Sequence, residues 1–148
     1  MTGKFYVYGD SLLKATVPDE QFRYHFHADE LLDSYPAGQQ VVQPVLMTLP
    51  PIDAARYLDF ICRGGADKGR ILRWLGDCQM IYRYQELYSD TVAQVAAEQA
   101  VPLIPVRRAF LWDQNYCRMI SADGIHLNMT GYRRLFDTIA DWTAAHLA

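Results

Sequence analysis

Three side chains near opposite ends of the sequence, Ser11, Asp123 and His126, can be assigned the three roles of a nucleophilic triad. Ser11 closes Gly9-Asp10-Ser11 directly after the apolar run Phe5-Tyr6-Val7-Tyr8, and the other two belong to Asp123-Gly124-Ile125-His126-Leu127-Asn128. A serine hydroxyl is a poor nucleophile at its own pKa, so a neutral imidazole must take its proton during attack and return it to the leaving group. His126 is the base. The imidazole in turn needs a carboxylate that accepts from its other ring nitrogen, fixing the tautomer and stabilising the imidazolium as it forms. Asp123 precedes His126 by three positions across a glycine, a spacing that brings carboxylate and imidazole onto one side of a loop or first helical turn. Gly9 and Asp10 support the nucleophile. Asp10 either ties down its loop by hydrogen bonds or simply forms the turn.

These residues need a scaffold that alternates strands and helices. Phe5 to Tyr8 reads as a buried parallel strand, which places Ser11 at the carboxyl edge of a sheet. Pro18-Asp19-Glu20 reads as a helix start, and the helix is expected to run through Phe22, Phe26, Leu31 and Leu32 to Tyr35-Pro36. Val41 to Leu49 is a second strand candidate, properly beginning near Val45 because Pro44 interrupts it. A short helix over Asp53 to Cys62 has Tyr57, Phe60 and Ile61 as its apolar side, and a second piece covers Ile71 to Leu75. From Asp77 to Gln99 the spacing of Ile81, Tyr84, Tyr88, Val92, Val95 and Ala96 fits one face of a long helix. Val101 to Val106 is a third strand candidate, and Phe110 to Ser121 an irregular approach loop. Asn128 or Thr130 caps a last helix, in which Tyr132, Leu135, Phe136, Ile139 and Trp142 recur at helical spacing. That cap fixes the direction of His126.

The 148 residues suit one domain spanning 1–148. A formal net charge of −3 gives no electrostatic case for nucleic acid or an anionic membrane. No stretch approaches the ~20 apolar residues that span a bilayer, and the start, Met1-Thr2-Gly3-Lys4, shows no signal-peptide pattern. Three cysteines, Cys62, Cys78 and Cys117, without Cys-x-x-Cys spacing fit free thiols in a reducing compartment. The expectation is a cytoplasmic protein. His25 and His27 point to different sides of the expected helix, and no cluster completes a metal site. Tyr57, Tyr82, Tyr84 and Tyr88 are read as packing.

Tyr8-Gly9-Asp10-Ser11-Leu12 resembles the first block of the SGNH (GDSL-type) hydrolases. Asp123-Gly124-Ile125-His126-Leu127-Asn128-Met129-Thr130-Gly131-Tyr132 is similar to their last block, and Pro44 to Pro51 resembles the strand ending in Thr-x-Pro-Pro between them. The resemblance runs from Lys4 to Trp142. It implies a flavodoxin-like three-layer α/β/α sandwich, strand order 2-1-3-4-5, and a serine esterase without metal or organic cofactor. Ser11 is then the nucleophile, His126 the base and then acid, and Asp123 the orienter, acting on small-molecule carboxylic esters.

The sequence departs from the family in one place. The family's oxyanion hole uses the serine N–H, a glycine N–H from a second block and an asparagine side chain from a third, usually Gly-x-Asn-Asp. Neither block stands between Ser11 and Val41. Only the Ser11 N–H remains, with Gly38, Gln39, Gln40 or Asn115 as the substitutes on hand. A βαβ unit takes roughly 30 residues, so one crossover fits before Val45 where the family has several. This implies an internal deletion near Pro36 to Gln43 and a truncated, mostly parallel sheet of about three strands. Phe5 to Tyr8 must then pair with Val45 to Leu49, or remain an exposed edge that invites a homodimer. The alternative function is a catalytically impaired SGNH-like remnant serving as a binding or interaction domain, or lacking stable function.

Overall fold

The computed structural model describes residues 5–8, 22–25 and 44–146. The chain divides into two compact units, Met1–Val42 and Gln43–Ala148, each described by itself. The architecture is mixed α/β and mostly helical. Among the described residues, four short strands form two two-stranded parallel sheets, one in each unit.

In the first unit, β1 (Phe5–Tyr8) pairs in parallel with β2 (Phe22–His25), in the register Phe5 to Phe22 and Tyr8 to His25. This corrects two expectations. Phe22 to His25 is a strand and not helix: Phe-Arg-Tyr-His is rich in β-prone aromatics, and pairing with β1 satisfies ladder groups that a helix there would leave open. β1 therefore has a partner from its own unit, β2, in place of the expected choice between Val45 to Leu49 and an unpartnered strand. The rest of the expected helix, and the inferred deletion near Pro36 to Gln43, fall outside the described residues. His25 belongs to β2, which removes the helical argument about it and His27.

In the second unit, β3 (Leu46–Met47) pairs in parallel with β4 (Leu103–Ile104). Leu46 N–H donates to the Pro102 carbonyl at 2.9 Å and Thr48 N–H to that of Ile104 at 3.1 Å. Between them run α1 (Ala54–Arg63), α2 (Lys68–Leu75) and α3 (Gln79–Glu98). Asp53 and Asp67 cap α1 and α2, each accepting from a backbone N–H three residues on. After β4 the structure adds α4 (Val106–Leu111) and a 3-10 turn (Tyr116–Met119), then α5 (Met129–His146). The stretch expected to be irregular between Phe110 and Ser121 is thus partly helical, because Val106 and Phe110, one turn apart, are both fully buried.

The core joins Leu58 of α1, Ile104 of β4, Val106 and Phe110 of α4, Met119, Ile120 and Leu127 of the loop region, and Leu135 of α5. Helix α3 forms as expected, and of its expected apolar face Ala96 is buried and Ile81 and Val92 half-buried, but the buried side is rotated toward Ser89. Ser89 and Ala96 are buried, whereas Tyr84, Tyr88 and Val95 are exposed. The reason is polar. Gln85, Glu86 and Ser89 turn inward because Ser89 Oγ accepts from Leu49 N–H at 3.2 Å, and Gln85 and Glu86 hold Arg107. On α1 the buried positions are Ala54 and Leu58, and Phe60 is 46% exposed.

Arg107 is the buried charge of this unit, 6% exposed. Its Nε donates to Glu86 Oε1 at 2.7 Å, and its Nη1 to the Leu49 carbonyl at 3.2 Å and to Gln85 Oε1. Nη2 lies 2.5 Å from the same Glu86 oxygen, an ion-pair contact without a hydrogen bond of its own. The guanidinium stands 5.1 Å from the centre of the Tyr82 ring. Cys62, Cys78 and Cys117 are free thiols. Among the described residues, no helix is long and apolar enough to cross a membrane.

Candidate active site

The acid/base motif lies on a tight loop between the 3-10 turn and α5. Ile120 and Leu127 form an antiparallel bridge, and Ser121 N–H donates to the His126 carbonyl at 2.7 Å, which closes the loop around residues 122–125. Gly124 makes the turn at φ 84°, and its N–H donates to the Ser121 carbonyl at 3.1 Å. The loop then rests on the start of α1, where Asp53 N–H donates to the Gly124 carbonyl at 2.8 Å.

Asn128 ends the loop and caps α5, settling the choice between it and Thr130. Its Oδ1 accepts from the N–H groups of Thr130 at 3.0 Å and Gly131 at 3.1 Å. Its Nδ2 donates to the Arg118 carbonyl at 2.6 Å and its backbone N–H to that of Met119 at 3.0 Å. Gly131 permits this docking: a Cβ there would collide with the Met119 carbonyl.

Inside the loop the Asp123 carboxylate is fully occupied. Oδ1 accepts from Ser121 Oγ at 2.7 Å and from the N–H groups of Ile125 and His126, both at 3.0 Å. Oδ2 accepts from His126 Nδ1. Burial alone would raise the Asp123 pKa, but the Ser121 hydroxyl, the His126 ring and the two backbone donors outweigh it and hold the carboxyl well below the usual carboxylate range. An ionised carboxylate only accepts, so Nδ1 carries the hydrogen and the neutral ring keeps its lone pair on Nε2. His126 is half-buried, 41% exposed against 18% for Asp123. This is the form in which an imidazole acts as a general base through Nε2.

The structure therefore brings Asp123 and His126 together. Gly9, Asp10 and Ser11 fall outside the described residues, as do Gly38, Gln39 and Gln40. Asn115, the remaining substitute donor, is exposed at the start of the 3-10 turn, its N–H donating to Asp113 Oδ1 at 2.8 Å. Two participants escaped sequence reasoning. Ser121 belongs to the expected approach loop, although a hydroxyl two positions before an Asx-turn aspartate is a usable signal. Arg56 was overlooked within a surface helix; its Nη1 donates to the carbonyls of Cys117, Ile120 and Ser121. Among the described residues, no group of three or more His, Cys, Asp or Glu is placed to hold a metal ion.

Compared with known proteins, the chain matches no protein family and no curated sequence.

Proposed function

We propose that this protein is a serine hydrolase of the SGNH type, cleaving small-molecule carboxylic esters through an acyl-serine intermediate. The observation that carries the reading is the Asp123–His126 pair: a hydrogen-bonded carboxylate fixing the one imidazole tautomer that general-base chemistry needs. The Gly9-Asp10-Ser11 block supplies the matching hydroxyl in the expected chain order.

In this mechanism the Ser11 hydroxyl attacks the ester carbonyl as His126 Nε2 takes its proton. The imidazolium, stabilised by Asp123, returns that proton to the departing alcohol, leaving the acyl group on Ser11. Water then attacks the acyl-serine with His126 again as base, releasing the carboxylic acid and restoring the serine. The reading extends to one SGNH-like domain over 1–148 with a flavodoxin-like sheet, a cytoplasmic location and a homodimer through a sheet edge.

A second reading rests on the absent Gly and Asn blocks: an impaired SGNH-like remnant. The loss of one oxyanion donor costs about 10²–10³ in turnover, and the sequence lacks two of the expected three.

Intact-mass spectrometry after treatment with a reactive fluorophosphonate, beside Ser11→Ala, separates the two. A single adduct absent from Ser11→Ala supports the hydrolase. No adduct on cooperatively folded protein sinks it and leaves the remnant.

A further inference from the structure

We infer that Arg56 is a positioning residue for the acid/base pair, setting the Asp123–His126 geometry from the neighbouring helix α1. The inference rests on the hydrolase reading for its catalytic meaning, and on hydrogen bonds for its physical content.

Arg56 lies in the first turn of α1, and its guanidinium faces the Asp123 loop. Nη1 stands 3.3, 2.9 and 3.1 Å from the carbonyl oxygens of Cys117, Ile120 and Ser121. Nη2 pairs with Asp53 Oδ2 at 3.2 Å. Three carbonyl dipoles converging on one point repel one another, and a partly buried cation there removes the repulsion. The planar fork serves both directions at once, which an ammonium does not.

The attachment reaches the imidazole through short links. Arg56 holds the Ser121 carbonyl, and Ser121 Oγ donates to Asp123 Oδ1 at 2.7 Å. Asp123 Oδ2 then accepts from His126 Nδ1. On the far side of the loop Asp53, paired with Arg56, donates its N–H to the Gly124 carbonyl. Arg56 thus anchors the loop before Asp123 while the backbone N–H of its partner Asp53 anchors it after, and loss of the guanidinium loosens the Ser121 end that holds Asp123 toward the ring. The loop's other ties are internal or lie at residues 118–120: Ser121 exchanges backbone bonds with Gly124 and His126 inside the loop, and Arg56 is what fastens its carbonyl to the neighbouring helix α1.

The test reads the tautomer of His126 in the full chain by long-range ¹H–¹⁵N NMR, with His126→Gln to assign its signals. The neutral ring of the unsubstituted protein is expected in the Nδ1–H form. Arg56→Met is expected to shift it toward the Nε2–H form that free imidazole favours, with Arg56→Lys between them and fluorophosphonate labelling of Ser11 slowed at least 10-fold in Arg56→Met. Asp67→Ala, which removes the α2 cap, lowers stability without moving the tautomer. If Arg56→Met does not fold, Arg56→Lys carries the same readout. An unchanged tautomer in either folded variant overturns the inference, as does an Nε2–H ring in the unsubstituted protein. Because the tautomer needs no substrate, absence of Ser11 labelling throughout would sink the hydrolase reading while the NMR still decides the role of Arg56.

Discussion

Gly124 sits against Tyr57 with no room for a side chain: a Cβ on Gly124 would strike the Tyr57 N–H and stand 2.6 Å from the Asp53 carbonyl oxygen. Both clashing groups are backbone atoms of a helix start and cannot rotate away. Gly124 also holds φ 84°, in the left-handed region that other residues rarely adopt. Gly124→Ala is expected to lose at least about 2 kcal/mol, from backbone strain and overpacking together. Urea unfolding measures it, and a loss below about 0.5 kcal/mol would show that the loop has another seat.

Asp123→Asn replaces an acceptor that fixes the ring with an amide that can donate to it. The tautomer with its lone pair on Nδ1 becomes the stable one, and Nε2 no longer accepts a proton. Labelling of Ser11 by fluorophosphonate is expected to slow by a factor on the order of 10⁴ with the fold retained. A labelling rate equal to that of the unsubstituted protein would remove Asp123 from the mechanism.

The same carboxylate makes stability depend on acid. The folded Asp123 carboxyl is held below its unfolded value, which is about 3.9. Between the two values the unfolded chain binds a proton that the folded chain refuses, so stability falls as pH drops. The contribution is fully present above the unfolded value and is lost as pH falls through the folded one. Urea midpoints at pH 7 and pH 3 should show Asp123→Asn well below the unsubstituted protein at pH 7 and closer to it at pH 3. An equal gap at both pH values would place the stabilisation elsewhere.

Arg107→Ala removes the buried partner of an ion pair whose other member, Glu86, is one-third exposed, and strands the Leu49 carbonyl. The expected cost is about 2–3 kcal/mol, below that of a fully buried pair because solvent reaches Glu86. Arg107→Met, which keeps the stem's packing, and Arg107→Met combined with Glu86→Leu, which leaves no unpaired charge, should recover part of it in order. If the double variant is the less stable of the two, the stranded charge is not the source of the cost.

The parts legible in the sequence are the ones whose partners lie close along the chain. Asp123 and His126 are three residues apart, and Asn128 caps the helix it begins, so local spacing was enough to anticipate both. Helices α1, α3 and α5 followed from apolar period and caps. Arg56 was not legible: its acceptors are carbonyls 61 to 65 positions away, and a carbonyl leaves no mark in sequence. Arg107 hid for the same reason, and with it the inward face of α3, since Gln85, Glu86 and Ser89 look like solvent positions until a buried cation needs them. Phe22 to His25 forms a strand against its local signal because Pro18-Asp19-Glu20 imitates a helix start, while the demand of β1 for a partner is a tertiary fact.

The polar contacts around Thr48 and Leu49 also tie separate segments into one opening unit. Leu49 N–H donates to Ser89 Oγ on α3, and Arg107 N–H donates to Thr48 Oγ1 at 2.9 Å from the far side of β4. Breaking these bonds separates α3, the segment after β3 and the start of α4 together, because Arg107 of α4 bonds both Glu86 of α3 and the Leu49 carbonyl. Slow hydrogen exchange at these two amides would share a single rate, reporting one cooperative event in place of two local ones.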